Sequence, residues 1–234
     1  MLGDGLVDAV WTDPPYGVAY EGKTADALTI ENDGRDLWKL EVLLEEAFTA
    51  GLAHCKPGAA WYVAAPPGPA TLAFATVLAR LKLWRQTLVW VKHTFALGHS
   101  DYHYRHEVVY AGYGPPAKGR RGRGSAGWYG PNNADSVFEV NKPSRNGEHP
   151  TMKPVELIVR QLENSTAPGH LVADPFAGSG STLIACHGIG RVARLIELDP
   201  RYCDVICRRY EEHTGTVPVL ERTGKPVSFV GKAG

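Results

Sequence analysis

The chain has 234 residues, the length of one domain or of one domain carrying an insertion. Its hydrophobic content of 44% and charged content of 21% exclude a disordered or collagen-like chain. Lys plus Arg and Asp plus Glu number 25 each, so net charge alone indicates no polyanionic partner. No apolar run approaches the roughly 20 residues needed to cross a bilayer, and the first residues do not resemble a secretory signal. We therefore expect a cytoplasmic protein with no membrane partner.

The cysteines predict reduced thiols rather than a disulfide framework, because there are only four, at scattered positions 55, 186, 203 and 207. Cys203 and Cys207 share one helical face, but neither a second pair nor a correctly spaced histidine follows. His99, His103 and His106 form a denser cluster, but the acidic or cysteine ligands of a typical catalytic metal site are not arranged around them, so a polar recognition surface is the favoured interpretation. The sequence therefore predicts no metal site.

Strands and helices alternate along most of the chain. A strand over 6–12 ends at Asp13-Pro14-Pro15-Tyr16, because two prolines forbid its continuation in a central position. Helical spacing of apolar residues predicts helices over 36–55, 67–81, 154–164, 181–188 and 200–214. Further strands are predicted over 60–65, 84–91, 171–173 and 191–197, followed by a hairpin over 217–230. This order is typical of a parallel α/β sheet.

The periodicity fails over residues 93–143, which predicts an irregular inserted region within a single domain spanning 1–234. Between Lys92 and Gly124, six Lys or Arg residues stand against two acids, and arginines spaced by glycines can follow a nucleic-acid backbone. We favour a phosphate-contacting segment over a solvated surface loop. The predicted contacts are Arg105, Lys118, Arg120, Arg121 and Arg123.

The first chemical motif is the glycine-rich turn over 174–181, placed between a short apolar strand and a helix. Its glycines let the backbone turn tightly and approach a nucleotide-like cofactor. Glu197 closes the next strand, a position suited to gripping ribose hydroxyls. A nicotinamide dehydrogenase is the competing interpretation, but Leu183 stands where its third glycine belongs. A P-loop fits less well, because no lysine follows Gly180.

The second motif is Asp13-Pro14-Pro15-Tyr16 at the end of the first strand. A carboxylate or its neighbouring carbonyl can accept hydrogen bonds from an exocyclic amine, while the prolines fix the backbone. The tyrosine offers a stacking face for a base taken out of its helix. The alternative interpretation is a plain proline turn.

Together the two motifs resemble those of the amino-group DNA methyltransferases, and their order resembles the permuted beta class, in which the catalytic motif precedes the cofactor motif. The resemblance covers nearly the whole chain. It implies the Rossmann-like S-adenosylmethionine-dependent methyltransferase fold, a mostly parallel sheet with helices on both faces. It also implies S-adenosylmethionine as the cofactor and double-stranded DNA as the substrate.

The resemblance assigns roles residue by residue. Catalysis is implied for Asp13, Pro14, Pro15 and Tyr16. Cofactor binding is implied for Asp174, which would hold the methionine ammonium, for Phe176, which would line the pocket, and for Gly178 and Gly180 of the same loop. The stretch 149–154 resembles a third motif, in which Thr151 and Lys153 are implied to hold the methionine carboxylate. The inserted region over 93–143, including the run 98–107, occupies the place of the target-recognition region.

The implied reaction is site-specific methylation of the adenine 6-amino group in DNA, because an acid opens the tetrapeptide where cytosine-N4 enzymes commonly have serine. The alternatives are cytosine-N4 methylation, methylation of RNA or of a protein side-chain amide, and a catalytically inactive DNA-binding relative. A cognate restriction endonuclease and a homodimer are further candidate partners. Relatives usually place a Gly-Asp pair near the cofactor adenine, a role that Gly3-Asp4 is expected to fill poorly.

Overall fold

The computed structural model describes residues 6–16, 37–95, 101–115, 121–141 and 152–231. Among them, seven strands form one sheet: β1 (Val7–Thr12), β2 (Cys55–Ala65), β3 (Gln86–Val91), β4 (His106–Tyr113), β5 (Val137–Glu139), β6 (Leu171–Asp174) and β7 (Val192–Leu195). Five helices accompany it: α1 (Leu37–Ala53), α2 (Thr71–Arg80), α3 (Val155–Ser165), α4 (Ser181–Gly188) and α5 (Pro200–Thr214). The short strands β8 (Val219–Leu220) and β9 (Lys225–Pro226) form the predicted C-terminal hairpin.

The sheet has the order β5-β3-β4-β2-β1-β6-β7. Within it, β4 alone runs antiparallel to its neighbours. The predicted mostly parallel α/β sheet is therefore confirmed. Because β1, β2, β3, β5, β6 and β7 share one direction, their carboxyl ends meet at a single edge, which we call the carboxyl edge. The opposite side is the amino edge.

Helices cover both faces of the sheet because its central strands are apolar on both sides. Along β2, Trp61 and Val63 point into a core formed with α1 and α2, where Phe48 and Phe74 are fully buried. The alternate residues of β2 pack on the other face against α3 and α4. This alternation follows from the period of two in a strand.

The expectation of irregular structure over 93–143 is wrong for β4 and β5. Strand β4 lies inside the sheet, between β2 and β3, and β5 is one of the two outermost strands of the sheet. Val109 and Tyr110 of β4 are buried, so this strand belongs to the core. The sequence analysis missed it because the charged and aromatic residues around it concealed its β-forming centre.

The other boundaries lie close to the predicted ones. Helices α4 and α5 span the predicted residues, whereas β2 begins at Cys55, five residues before the predicted start. Helix α2 begins at Thr71, because residues 67–70 form turns. Pro154 precedes α3 as its N-cap instead of occupying its first turn. In the described part of the chain, every helix is too short or too polar to cross a membrane.

Candidate active site

The two sequence motifs meet at the carboxyl edge. Asp13 directly follows β1, and Asp174 is the last residue of β6, the neighbouring parallel strand. Thr12 joins the two strand ends, because its hydroxyl donates a hydrogen bond of 2.8 Å to Asp174 Oδ1. The prediction that these motifs form a strand end and a strand-to-helix turn is confirmed. Their proximity makes this edge the candidate active site.

Asp13 is a half-buried carboxylate with one oxygen engaged and one unpartnered. Lys153 Nζ lies 2.6 Å from Asp13 Oδ2. Asp13 Oδ1 is buried and accepts no hydrogen bond from the residues that the structure describes. Pro14 is buried behind it and fixes the backbone where the strand ends. The arrangement leaves one carboxylate oxygen able to accept a hydrogen bond from a ligand.

Lys153 contacts the catalytic motif, although the resemblance implied a cofactor role for it. Its side chain is only 8% exposed, and Nζ lies 3.2 Å from Glu107 Oε2 as well as close to Asp13. Glu107 is held from its other side by Lys92, whose Nζ lies 2.5 Å from Oε1. In the sequence, Lys92 and Glu107 entered only the charge balance of residues 92–124. Their pairing was hidden because it depends on β4 lying beside β3, where Glu107 is opposite Trp90.

Tyr16 lies inside this group of charges. Its hydroxyl donates a hydrogen bond of 2.9 Å to Glu107 Oε2, and its ring packs edge-to-face on Phe74. Lys153 Nζ lies 4.9 Å from the centre of the Tyr16 ring, within the range of a cation–π contact. The predicted role of Tyr16 as a stacking face for a base stays a prediction.

Burial and charge shift the pKa values of the group in different directions. Burial raises the pKa of Asp13, and Lys153 opposes that shift. Burial also disfavours the ionised form of Glu107, but Lys153 and Lys92 outweigh it and lower the pKa of Glu107 to about 2. For Lys153, burial is overcome by Asp13 and Glu107, so its pKa is raised. Burial raises the pKa of Tyr16 well above its usual range. Glu107 and Lys153 are therefore charged at neutral pH, and Tyr16 is a neutral donor.

Asp174 joins the glycine-rich loop to the end of β1. Besides Thr12, its carboxylate accepts hydrogen bonds from the Thr182 hydroxyl at 2.6 Å and from the Phe176 backbone N–H at 3.1 Å. Burial raises the pKa of Asp174 to about 6, despite these donors. These contacts give Asp174 a structural role, and its predicted contact with a methionine ammonium stays a prediction.

The two glycines of the loop have different surroundings. Both have positive φ, +52° at Gly178 and +78° at Gly180, where a side chain is strained. A Cβ atom on Gly180 would lie 3.0 Å from Ile206 of α5, whereas a Cβ on Gly178 would meet no atom within 4 Å. Gly180 is therefore required for packing against α5, and the open space lies beside Gly178.

Other groups around this space are polar. Both carboxylate oxygens of Glu197 accept backbone N–H groups, from Gly178 at 2.7 Å and from Asp199 at 3.0 Å, so Glu197 fixes the loop. Ser181, the first residue of α4, has a buried hydroxyl without a hydrogen-bond partner within the described ranges. Sequence reasoning missed Ser181, although an orphan hydroxyl at a helix N-terminus is suited to an anionic ligand group.

The predicted DNA contacts lie at opposite edges. Arg105 is exposed at the carboxyl edge, just before β4. Arg121 instead packs against Gly58 near the start of β2, and Arg123 donates a hydrogen bond of 2.7 Å to the Asn132 carbonyl. Thr12 pairs with Val63 of β2, and Gly58 lies five residues before Val63, which is roughly 16 Å along the strand. Lys118, Arg120, Thr151 and the pair Gly3-Asp4 lie outside the described residues.

The sheet order, the helices on both faces and the glycine loop at the carboxyl edge define a Rossmann-like α/β protein. The family model for DNA methylases of the N6/N4 type matches residues 7–208. The chain belongs to this DNA methylase family. Its curated relatives include the type II methyltransferases M.XycI of Xanthomonas campestris pv. cyanopsidis, 38% identical over 36% of this chain, and M2.MboI of Moraxella bovis, 40% identical over 34%. Each match spans 28% of the relative's length.

Solved structures share the fold at low sequence identity. The M1.HpyAVI–SAM complex superposes with a TM-score of 0.64 at 22% identity, covering 88% of this chain and 90% of that one. The cytosine-N4-specific PvuII DNA methyltransferase gives a TM-score of 0.61 at 16% identity, covering 88% and 80% of the two chains. The chain thus has the fold of S-adenosylmethionine-dependent methyltransferases, as the resemblance implied.

Proposed function

We propose that this protein is a site-specific DNA methyltransferase of the beta class that transfers a methyl group from S-adenosylmethionine to the adenine 6-amino group. The observation that carries the proposal is the Asp13 carboxylate, which is half-buried with Oδ2 on Lys153 and Oδ1 buried and unpartnered within the described chain. A buried acceptor without a donor costs free energy unless a ligand supplies one. An exocyclic amine supplies such a donor.

Asp13 would position the target amine for direct attack. S-adenosylmethionine supplies a methyl group activated by a sulfonium. In the transfer, an N–C bond would form as the C–S bond breaks with its electron pair left on sulfur, and the proton lost by the amine would pass to solvent water. By accepting a hydrogen bond from the amine, Asp13 Oδ1 would orient the nitrogen lone pair toward the methyl group. Orientation of this kind supplies much of the acceleration in a two-substrate reaction.

The residues around the glycine loop fit the cofactor. The space beside Gly178 and the orphan hydroxyl of Ser181 lie where a nucleotide-like molecule would approach the loop. Phe176 would line the pocket, Glu197 would grip the ribose, and Asp174 would face the methionine ammonium. Gly180 lets the turn pass close to Ile206, where a Cβ atom would lie 3.0 Å from that side chain.

The DNA would approach the carboxyl edge. The segments following β3 and preceding β4 end there and carry exposed aromatic groups, including Phe95, Tyr102 and Tyr104. Phe95 stacks on His103 with ring centres 5.1 Å apart. Exposed rings beside Arg105 combine stacking faces with a phosphate contact. This part of 93–143 is therefore our candidate target-recognition region; a restriction endonuclease partner and a homodimer stay predictions.

Adenine is favoured over cytosine by the acid at position 13, although the PvuII enzyme shares the fold and is cytosine-N4-specific. Expression in a methylation-deficient host, followed by mass spectrometry of its digested DNA, tests the assignment. We expect N6-methyladenine. N4-methylcytosine would overturn the choice of base, and the absence of both products would overturn the enzymatic function.

Asp13 variants test the catalytic assignment. Asp13→Ala should lower turnover by roughly 100-fold to 1,000-fold, by analogy with other lost transition-state contacts, while cofactor affinity is retained. Asp13→Asn should lose less, because its amide oxygen still accepts a hydrogen bond. The measurement is transfer of a tritiated methyl group to duplex DNA.

The control for this experiment is Asp8→Asn, on the same strand at the amino edge, where Asp8 pairs with Lys56 at 2.6 Å. This control should methylate at the parental rate. A folded, cofactor-binding Asp13→Ala protein with parental activity would show that the catalytic assignment is wrong.

A further inference from the structure

A partly buried group of charges surrounds Asp13, and no sequence motif accounts for two of its members. We call it the Glu107 cluster: Asp13, Tyr16, Lys92, Glu107 and Lys153. Glu107 is its centre, because Oε2 accepts hydrogen bonds from Tyr16 and Lys153, and Oε1 faces Lys92. Two cations and two carboxylates balance each other. The cluster is therefore electrically neutral at neutral pH with Asp13 ionised.

We infer that Lys153 and Glu107 are positioning residues of the methyl transfer: Lys153 holds Asp13 Oδ2 and keeps Oδ1 free for the target amine, and Glu107 restrains Lys153 and Tyr16. This inference rests on the proposed function. It replaces the cofactor contact that the resemblance implied for Lys153. The buried position of Lys153, with carboxylates at 2.6 Å and 3.2 Å, leaves its ammonium committed to the cluster.

The role follows from the state that Asp13 needs. A protonated carboxyl is a weaker acceptor for an amine than a carboxylate, and burial pushes Asp13 toward protonation. Lys153 opposes burial by charge and by hydrogen bonding, and hydrogen bonding from Tyr16 also lowers the pKa of Asp13. Glu107 acts in the other direction on Asp13 by repulsion, but it holds the lysine in place. Asp174, at the end of the adjacent strand, repels the Asp13 carboxylate.

Opposite effects are therefore expected from the two positioning residues. In Lys153→Gln the supporting charge is lost, so the pKa of Asp13 should rise by about one pH unit or more. In Glu107→Gln the repelling charge is lost while Lys153 remains, so the pKa of Asp13 should fall. Charge alone would produce these displacements, so a positioning role in methyl transfer also requires the acidic limb of kcat to move with the pKa of Asp13.

The test uses two readouts on the full-length protein. The first is a titration of ¹³C-labelled aspartate carboxyls by NMR, with the Asp13 signal assigned by its loss in Asp13→Asn. The second is the acidic limb of kcat against pH for DNA methylation. Lys153→Arg should restore most of the wild-type pKa. Lys56→Gln, which removes a lysine–aspartate pair of 2.6 Å at the amino edge, is the matched control and should change neither readout.

Opposite displacements of the Asp13 titration in folded Lys153→Gln and Glu107→Gln proteins would support the inference. Displacements in one direction, or none, would overturn it. Because NMR needs no turnover, the titration tests the action of Lys153 and Glu107 on Asp13 even if the wild-type protein transfers no methyl group. Failure of wild-type methylation would count against the proposed function, so the two failures are distinguishable.

Discussion

The pKa values of two carboxylates at the carboxyl edge, buried Asp174 and part-buried Glu107, are shifted in opposite directions. Among the described residues, Asp174 has hydroxyl and backbone donors and no cation that opposes the effect of burial, so burial prevails and raises its pKa to about 6. Glu107 lies between Lys92 and Lys153, so charge prevails and its pKa is about 2. The charge of the neighbouring groups therefore determines the direction of the pKa shift, because a full opposite charge compensates for lost hydration better than neutral donors do.

Glu107 should make stability depend on pH in the acid range. A folded-state pKa of about 2 lies below the usual glutamate value of 4.5, so its stabilising contribution is present above pH 4.5 and is lost as the pH falls through 2. The shift corresponds to about 3 kcal/mol. Glu107→Gln should therefore be less stable at pH 7 and show a flatter dependence between pH 5 and 2. Urea unfolding at several pH values measures this.

The control for the pH experiment is Glu156→Gln, which removes an exposed i,i+4 pair with Arg160. A pair of this kind contributes about 0.3–0.5 kcal/mol, so its pH dependence should resemble that of the wild type. If Glu107→Gln loses as much stability as the wild type between pH 5 and 2, Glu107 is not held by its lysines in solution.

At the scale of elements, the sequence allowed correct predictions for residues whose geometry is set by their neighbours in the chain. Asp13 at a proline-stopped strand end and Gly180 at a strand-to-helix turn could both be predicted, because their neighbours in sequence create the geometry. Glu107 could not, because its role depends on the pairing of β4 with β3 and on Lys153 from the segment before α3. The environment of Arg121 also depends on tertiary packing, against Gly58.

Variants of the two glycines in the turn into α4 distinguish packing against α5 from binding of the cofactor. Gly180→Ala should lower the free energy of unfolding by about 2 kcal/mol, from left-handed strain and the contact with Ile206. The double variant with Ile206→Ala should lose at least about 0.5 kcal/mol less than the sum of the single changes. Gly178→Ala should instead weaken S-adenosylmethionine binding more than it lowers stability. Urea unfolding and calorimetry provide the two measurements.

Gly169→Ala is the control for strain, because Gly169 has φ of +80° and a Cβ there would meet nothing within 4 Å. It should show the cost of the left-handed backbone alone. If Gly180→Ala lost cofactor affinity but no more stability than this control, Gly180 would border the cofactor and the contact with Ile206 would be unimportant.

At the scale of the whole molecule, the two edges of the sheet separate chemistry from support. Asp13, Asp174, Glu197 and the Glu107 cluster meet at the carboxyl edge. The amino edge carries the Lys56–Asp8 pair and the packing of Arg121 on Gly58. The basic segment over residues 92–124 therefore places charged residues at both edges, with Arg105 at the carboxyl edge and Arg121 at the amino edge. Its Lys92 and Glu107 form an ion pair inside the Glu107 cluster.

This division predicts which arginine contacts DNA. If Arg105 binds one phosphate, Arg105→Ala should reduce the slope of log K against log salt concentration by about 0.9 and weaken binding to all sequences alike. Arg121→Ala should leave the slope unchanged, because its guanidinium packs against Gly58 at the amino edge. Arg123→Ala is the matched control, since its side chain bonds the Asn132 carbonyl. The measurement is fluorescence anisotropy of a labelled duplex across a salt series. A slope that falls for Arg121→Ala and not for Arg105→Ala would place the duplex at the amino edge beside Arg121 instead of at the carboxyl edge.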